Sequence, residues 1–328
     1  MVAQSDNTVV RVHRTGGPEV LQRETAPVDQ PGEGQVLLRQ DAIGVNFIDT
    51  YFRAGLYRFP SMPGVPGMEG AGVVEAVGPG VTTLRVGDRV AYAGVLGGYA
   101  HYRLIAADRL VALPDGLPAD VAAAVMLRGL SAHMLLRRVH DVRAGESILV
   151  YAPAGGVGQL LCQWGRHLGA RVIGVTSSEK KAEIARACGA SDVVVGRENL
   201  PERVRELTGG KMVPVVYDSI GRDTFEDSLS CLAPRGLMVS YGNASGPVTG
   251  VDVGTLATHG SLYLTRPTMM TYVAARADLE SAARELFDLL VSGVLKPSIG
   301  QRFALGDAAQ AHQALESGQT TGSTILVP

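Results

Sequence analysis

Short apolar runs and helical stretches alternate through residues 148–265. Apolar runs bounded by glycine or polar residues are typical of strands buried in a parallel sheet, and apolar residues at three- and four-residue spacing are typical of amphipathic helices. Because helices separate the earlier strands, the pattern predicts a doubly wound, six-stranded parallel sheet. The predicted strands are 148–152, 171–175, 192–195, 213–218, 237–241 and 261–265, and the predicted helices are 157–168, 179–187, 201–208 and 224–232.

The pattern differs on both sides of this segment. Residues 1–118 contain short apolar runs separated by turn signals such as Pro31-Gly32, which predicts a β-rich region with strands at 9–12, 36–42, 72–77 and 104–113. Residues 119–138 are predicted to be helical. After Pro267 the alternation stops, and we expect a helix at 277–292, a strand at 303–305, a helix at 307–316 and a strand at 324–327. We therefore expect one discontinuous domain, 1–127 with 266–328, and a second domain at 128–265.

A glycine-rich turn follows the first strand of the alternating segment. Gly155, Gly156, Val157 and Gly158 lie between this strand and a helix, and that order is typical of a dinucleotide-binding turn, where the helix N-terminus receives the pyrophosphate. Pro153 stands where the fingerprint has its first glycine. Taken alone, the match fits an ordinary tight turn equally well, and the surrounding strand and helix favour the dinucleotide site.

The end of the next predicted strand indicates which dinucleotide is bound. An acidic residue that would bond the ribose 2′-OH of NAD is absent there, and Ser177 and Ser178 are followed by Lys181. Hydroxyl groups and a lysine suit a 2′-phosphate, so we expect NADP. In the alternative interpretation Ser178 caps a helix and the lysines are solvated, and both interpretations can hold together.

Composition and charge narrow the function classes. The chain has 328 residues, is 46% hydrophobic and 19% charged, and carries a net charge of −2 without a basic stripe, so nucleic acid is not expected as a partner. The three cysteines lack CxxC spacing, and the seven histidines lack ligand spacing. No signal-peptide core or run of 18 apolar residues is present, and we expect a cytoplasmic protein with no membrane contact.

Several motifs resemble a known family over nearly the whole chain. The chain resembles the zinc-independent quinone oxidoreductases of the medium-chain dehydrogenase/reductase superfamily, which include zeta-crystallin, and in places it looks especially like the bacterial NADPH:quinone reductases. The resemblance implies a GroES-like catalytic domain joined to a Rossmann domain, an active cleft between them and a homodimer. It is carried by residues 16–21 (GGPEVL), 44–49 (GVNFID), 66–72 (PGMEGAG), 86–90 (VGDRV), 154–158 (AGGVG), 216–223 (VYDSIGRD), 235–240 (RGLMVS), 242–243 (GN) and 264–267 (LTRP).

The resemblance also implies a set of site residues. The cofactor would be NADPH, with Asn46, Tyr51, Tyr57 and Arg266 as the catalytic group. Two positions depart from the bacterial relatives, because Gly196 and Gly318 stand where those proteins have a tyrosine and an arginine beside the 2′-phosphate. Arg197 is the residue that could compensate for this loss. The cofactor-binding residues are expected to be Asn46, Asp49, Ser131, Gly155, Gly156, Val157, Gly158, Ser177, Ser178, Lys181, Tyr241, Gly242 and Asn243.

The same resemblance indicates chemistry without a metal. Zinc alcohol dehydrogenases of this superfamily have Cys where Val45-Asn46 stands and a His-Glu pair where Met68-Glu69 stands, and Zn²⁺ prefers thiolate and imidazole ligands. No metal is therefore expected, and the acceptor must itself be electrophilic. A quinone is the expected substrate, and a tyrosine or water could protonate the product. Two alternatives stay open: an NADPH-dependent 2-alkenal or enone reductase, and an RNA-binding or structural role like that of some zeta-crystallin relatives.

Overall fold

The structure is a computed structural model that describes residues 7–318 and 320–328. It divides into two compact units. The first contains the described residues up to Arg128 together with Arg276–Val291 and Pro297–Pro328, and the second contains Gly129–Ala275 and Ser292–Lys296. The expected second boundary was 265/266, whereas residues 266–275 lie in the second unit.

The first unit is built mainly on antiparallel strands. Strands β3 and β15 pair, so the last strand of the chain hydrogen-bonds to a strand near its beginning. The seven-stranded sheet has the order β14-β15-β3-β4-β5-β7, with β6 also on β3, and β1 and β2 form a separate pair. The strands are β1 Asn7–Val12, β2 Leu21–Ala26, β3 Gln35–Val45, β4 Glu69–Val77, β5 Arg89–Ala93, β6 Tyr102–Ala106 and β7 Val111–Ala112, with β14 Ile299–Ala304 and β15 Ser323–Val327 from the C-terminal segment.

The second unit contains the expected parallel sheet. Its strands have the order β10-β9-β8-β11-β12-β13, all pairs are parallel, and the order reverses beside β8. In such sheets ligands bind outside the carboxyl ends of the strands at this reversal. The strands are β8 Ser147–Tyr151, β9 Arg171–Thr176, β10 Asp192–Val195, β11 Val213–Asp218, β12 Leu232–Ser240 and β13 Tyr263–Thr265. The α/β fold class predicted from the sequence is confirmed.

Eleven α-helices lie in the described part of the chain. They are α1 Phe47–Ala54, α2 Ala119–Ala123, α3 Met126–His133, α4 Gly156–His167, α5 Glu179–Ala187, α6 Leu200–Leu207, α7 Phe225–Ser230, α8 Gly254–Thr258, α9 Met269–Tyr272, α10 Arg276–Val291 and α11 Ala308–Glu316.

Several boundaries differ from the sequence predictions for local backbone reasons. The helix expected at 119–138 consists of α2, α3 and a π-helical segment, Met134–Val139. The strand expected at 104–113 is divided into β6 and β7 by the 3₁₀ turn Ala107–Arg109. The strand expected at 261–265 begins only at Tyr263, and Ser261 has a left-handed φ of 59°, which lies outside the extended region of a regular strand.

Candidate active site

The turn between β8 and α4 holds the helix close to the end of the strand. Ala152 leaves the strand with φ of 49°, and the Gly155 N–H donates to its carbonyl oxygen at 2.9 Å. A Cβ atom at Gly158 would lie 2.1 Å from that same oxygen. Position 158 therefore accepts only glycine, which is the role that a dinucleotide turn gives to its last glycine.

Pro153 is accommodated by a glycine on the neighbouring strand. A Cβ atom at Gly174 of β9 would lie 2.8 Å from Cγ of the buried Pro153 ring. The ring therefore packs directly on the backbone of β9. Because the proline has no N–H, this first position of the turn can offer no donor to a phosphate.

The N-terminus of α4 is open. The Gln159 N–H donates to the Gly155 carbonyl at 2.9 Å, which is the first i to i−4 hydrogen bond of the helix. The N–H groups of Gly156, Val157 and Gly158 precede this bond and therefore have no carbonyl partner within the helix. Gly155, the residue before the helix, is exposed. Free N–H groups and the positive end of the helix dipole suit an anion such as a pyrophosphate.

The residues expected at the 2′-phosphate lie at the end of β9 and the start of α5. Ser178 caps α5, because its Oγ accepts from the Lys181 N–H at 3.4 Å, and Ser177 is exposed. Neither Lys180 nor Lys181 forms an ion pair with another described residue. The capping interpretation is therefore correct, and it leaves the Ser177 hydroxyl and the Lys181 ammonium for a ligand.

Arg197, considered as a substitute cation, has other contacts. Its Nη1 donates to the Asp223 carbonyl oxygen and lies 3.6 Å from an Asp227 carboxylate oxygen. Gly196, which follows β10, has φ of 79°. Lys181 is consequently the better candidate for a phosphate contact.

The loops after β11 and β12 are joined through the buried residue Asp218. Asp218 accepts from the N–H groups of Ile220 and Gly221 and from the hydroxyls of Thr224 and Ser228, at 2.7–3.1 Å. Its backbone carbonyl accepts from the Tyr241 N–H at 2.8 Å. These bonds fix both loops at the carboxyl end of the sheet.

Arg266 spans the loop that contains Gly242 and Asn243. Its Nη1 donates to the carbonyls of Ser240 and Gly242, both at 2.9 Å. Its Nη2 lies 3.0 Å from the Asn243 amide, which accepts the bond when the amide oxygen faces the guanidinium. We expected Arg266 in the catalytic group; these contacts indicate a residue that positions the loop.

In the first unit, Asn46 precedes α1 and is held from two sides. Its Nδ2 donates to Glu69 Oε1 at 2.6 Å, and its backbone N–H donates to Asp49 Oδ2 at 2.8 Å. The Leu127 N–H donates to the other Glu69 oxygen at 2.7 Å. Both carboxyl groups are fully buried, so they anchor the start of the helix.

This arrangement does not fit a zinc site of the alcohol dehydrogenase kind. Both oxygens of Glu69 accept N–H bonds, and the neighbouring positions supply a carboxamide and the thioether of the buried Met68. Zn²⁺ sites in proteins use thiolate, imidazole or carboxylate groups with free lone pairs. Among residues 7–318 and 320–328 there is no cluster of three or more His, Cys, Asp or Glu that could hold a metal ion.

A buried chain of polar groups leads from Asp49 through Tyr99 and His312 to Arg53. The Tyr99 hydroxyl lies 3.2 Å from Asp49 Oδ2 and 2.8 Å from His312 Nε2, and His312 Nδ1 lies 3.3 Å from Arg53 Nη1. Arg53 also forms a bidentate pair with Glu316 at 2.7 and 2.9 Å. The spacing of the histidines in the sequence indicates no role for any of them, and His312 is a buried member of this network.

Burial shifts the pKa values of the ionisable groups in this network. It raises the pKa of Asp49 to about 7, and the nearby Glu69 charge acts in the same direction. Burial also raises the pKa of Glu69 and lowers the pKa of Arg128, whose Nη2 donates to the Val45 carbonyl at 2.7 Å. Burial and the Arg53 charge lower the pKa of His312 to about 3, so its imidazole is neutral.

Aromatic rings gather beside α1. Tyr57 packs edge-on against Tyr51 and Phe52, with ring centroids 5.5 and 5.6 Å apart, and Phe52 lies 5.3 Å from Phe59. Tyr51 and Tyr57 are only partly buried. They offer the flat aromatic surface that we expected from the sequence.

The expected site residues fall into one group in each unit. Asn46, Asp49, Tyr51 and Tyr57 belong to α1 and the segments that flank it. Ser131 is half-buried on α3. The remaining residues of the second unit lie at the carboxyl ends of β8, β9, β12 and β13: Gly155, Gly156, Val157, Gly158, Ser177, Ser178, Lys181, Tyr241, Gly242, Asn243 and Arg266.

Comparisons with known proteins place this chain in a family. Residues 32–115 match the family described as alcohol dehydrogenase GroES-like domain, and residues 156–289 match the one described as zinc-binding dehydrogenase. A quinone oxidoreductase of Pseudomonas aeruginosa is 53% identical over 95% of this chain and 97% of its own length. The chain belongs to the quinone oxidoreductase family.

Solved structures and a further relative agree with this placement. The crystal structure of an Escherichia coli quinone oxidoreductase complexed with NADPH has a TM-score of 0.95 and 48% identity, covering 98% of this chain and 100% of that one. A 2-haloacrylate reductase of a Burkholderia species is 45% identical over 97% of this chain and 98% of its own length. Among the described residues, no helix is both long and apolar enough to cross a membrane.

Proposed function

We propose that this chain is an NADPH-dependent, zinc-independent quinone oxidoreductase. The observation that carries the proposal is the open N-terminus of α4 together with Ser177 and Lys181, which forms no ion pair with another described residue. These groups suit a pyrophosphate and a 2′-phosphate. The relatives named quinone oxidoreductase, and the Escherichia coli structure with NADPH, support the same activity. The second unit would serve as the cofactor domain and the first as the catalytic domain.

The residues of this chain would bind and orient the reactants. The N–H groups of Gly156, Val157 and Gly158 would receive the pyrophosphate, and the loop braced by Arg266 would cover the cofactor. When bound, NADPH supplies a hydride. Tyr51 and Tyr57 would hold the flat quinone ring, and a tyrosine hydroxyl would stabilise the developing oxyanion or water would protonate it.

A second candidate is the reduction of an activated double bond. The 2-haloacrylate reductase at 45% identity supports it, and the aromatic surface of α1 does not distinguish a quinone from an enone. An RNA-binding role has no support from the net charge of −2.

We also propose a homodimer that acts in the cytoplasm. Strand β13 lies at an edge of the parallel sheet and exposes Tyr263 and Leu264, and exposed strand edges favour pairing with another chain. Cys162, Cys188 and Cys231 are free thiols, as is usual in a reducing compartment.

The test is a panel of small quinones and 2-alkenals with NADPH and NADH. We expect quinones to be reduced with NADPH and 2-alkenals at most slowly. Tyr57→Phe should retain substantial quinone reduction, because its ring still packs and water can supply the proton. A preference for enones over every quinone would overturn the proposal in favour of the second candidate, and collapse of quinone reduction in Tyr57→Phe with cofactor binding intact would make that hydroxyl an essential acid.

A further inference from the structure

Gln159, in the first turn of α4, holds two consecutive peptide groups of the glycine-rich turn. Its backbone N–H donates to the Gly155 carbonyl at 2.9 Å, and its side-chain Nε2 donates to the Ala154 carbonyl at 2.8 Å. The side chain is buried, with 6% of the residue exposed. The Gly155 N–H in turn donates to the Ala152 carbonyl at 2.9 Å, so the peptide group between Ala154 and Gly155 is held at both its oxygen and its nitrogen.

These bonds decide where the turn directs its N–H groups. In a planar trans peptide group, the C=O and the N–H point to opposite sides. Because the Gly155 carbonyl points at the Gln159 N–H, the Gly156 N–H points away from it, at a part of the turn where Gly155 is exposed and Gly156 and Val157 are half-buried. A peptide group turned over at this place would present a carbonyl oxygen, which repels a phosphate, instead of an N–H.

The composition of the turn explains why a side chain is needed to hold it. Gly155 and Gly156 have no Cβ atom, so their backbone has more conformations open to it than that of any other residue. Pro153 has no N–H with which to fix the turn or to bind a phosphate. An apolar residue at position 159 would leave the carbonyl of the buried Ala154 without this donor, and a lost partner of that kind destabilises the conformation that needs it.

We propose that Gln159 is a positioning residue for the cofactor, because it keeps the N–H groups at the start of α4 directed at the pyrophosphate. This inference rests on the proposed function, since it requires a dinucleotide at this turn. Gln159 acts through the backbone of Ala154 and Gly155, to which it is bonded. Its contribution should be the same for NADPH and NADH, because both contain the pyrophosphate.

The first test is Gln159→Leu, which keeps an uncharged side chain of similar size and removes the side-chain donor. We expect the Kd for NADPH and the Kd for NADH to rise by the same factor, about tenfold, since one hydrogen bond corresponds to roughly that factor in an equilibrium constant. Adenosine 2′-monophosphate has the 2′-phosphate but no pyrophosphate, so its Kd should not change. Isothermal titration calorimetry measures all three.

Gln163→Leu is the matched control on the same helix. The Gln163 side chain also bonds a backbone group, because its Oε1 accepts from the Lys296 N–H at 2.7 Å, but it makes no bond to the glycine-rich turn among the described residues. This variant loses a comparable hydrogen bond from α4. It should bind NADPH and NADH as the wild type does.

Gln159→Glu provides a readout that a residue with a purely structural role would not give. A neutral carboxyl group can donate to the Ala154 carbonyl, whereas a carboxylate cannot. Burial raises the pKa of such a carboxyl group, so the affinity of this variant for NADH, relative to the wild type, should increase as pH falls. At low pH it should bind NADH more tightly than Gln159→Leu does, because relief of charge repulsion alone would only make the two variants equal.

The outcomes separate the role of Gln159 from the proposed function. Wild-type affinity for both dinucleotides in Gln159→Leu, or an equal loss of affinity for adenosine 2′-monophosphate, overturns the positioning role alone. If Gln159→Leu does not fold, the pH profile of Gln159→Glu decides, and a profile parallel to that of the wild type overturns the role. A wild type that binds neither NADPH nor NADH overturns the proposed function together with this inference.

Discussion

Asp49 and His312 belong to one buried network, but burial raises the pKa of Asp49 and lowers the pKa of His312. The two groups therefore make the free energy of unfolding depend on pH in opposite directions. The pKa of Asp49 is raised from 3.8 to about 7, so the folded state binds more protons than the unfolded state across this range and stability falls as pH rises. The pKa of His312 is lowered from 6.5 to about 3, so the unfolded state binds more protons and stability rises with pH.

Replacing either residue alone should reveal its contribution to the pH dependence of the free energy of unfolding. Between about pH 4 and 6.5, the free energy of unfolding of Asp49→Asn should rise more steeply with pH than that of the wild type. The free energy of unfolding of His312→Gln should instead fall over the same range. At about 1.4 kcal/mol per pKa unit, each variant should differ from the wild type by a few kcal/mol across the range. Urea unfolding at several pH values measures both slopes. Parallel wild-type and variant curves would show that these groups are not perturbed by burial.

Lys181 is the residue on which cofactor choice is expected to depend. Hydrogen bonds to charged groups contribute about 1.5–3 kcal/mol, which is one to two decades in affinity at about 1.4 kcal/mol per decade. Lys181→Ala should therefore raise the Kd for NADPH by roughly that factor and leave NADH nearly unchanged, as measured by fluorescence titration. Lys180→Ala is the control and should have little effect; equal weakening of both cofactors in Lys181→Ala would reject the phosphate contact.

At the scale of elements, the turn before α4 depends on the fit between Pro153 and Gly174 of β9. Gly174→Ala would place a Cβ 2.8 Å from the proline ring, and overpacking of this kind costs about 1–3 kcal/mol. We expect loss of stability and weaker binding of both NADPH and NADH. Replacing Pro153 by Ala as well removes Cγ and leaves only Cβ, at 3.1 Å, so the double variant should recover part of the loss. Additive effects in the double variant would mean that the two residues do not press on each other.

Helices and strands were predictable from the sequence where a single pattern of apolar and polar residues ran through the segment. The parallel strands appear as apolar runs, and α5, β10 and β11 have the bounds that the sequence indicated. Helix α1, which carries Asp49 and Tyr51, was missed because its eight residues include β-branched and aromatic side chains that favour strands. Its conformation depends on tertiary contacts such as the bond from Asn46 to Glu69.

The buried network could not be predicted because the sequence holds its members far apart. Arg53 and His312 are separated by 259 positions, and no local pattern indicates that they meet. The glycine-rich turn and the polar residues after the next strand did indicate the groups at the ends of β8 and β9, because those residues are adjacent in sequence. The capping of α5 by Ser178 was also foreseen as one of two compatible roles.

At the scale of the whole molecule, association through β13 is the open expectation. Light scattering at micromolar concentration should give twice the mass of the chain, and Leu264→Lys should shift the protein towards the monomer by placing a charge at the exposed edge. Val86→Lys, at an exposed position of the first unit, is the control and should remain dimeric. A monomer mass for the wild type would exclude the proposed assembly.

The most direct test of the central claim is an anaerobic single-turnover reaction of enzyme, NADPH and one equivalent of a small quinone in the presence of a metal chelator. We predict that one NADPH is oxidised per quinone, more slowly when the transferred hydrogen of NADPH is deuterium, and without any need for added zinc. Persistence of NADPH with the quinone, while a 2-alkenal is reduced under the same conditions, would contradict the assignment as a quinone reductase.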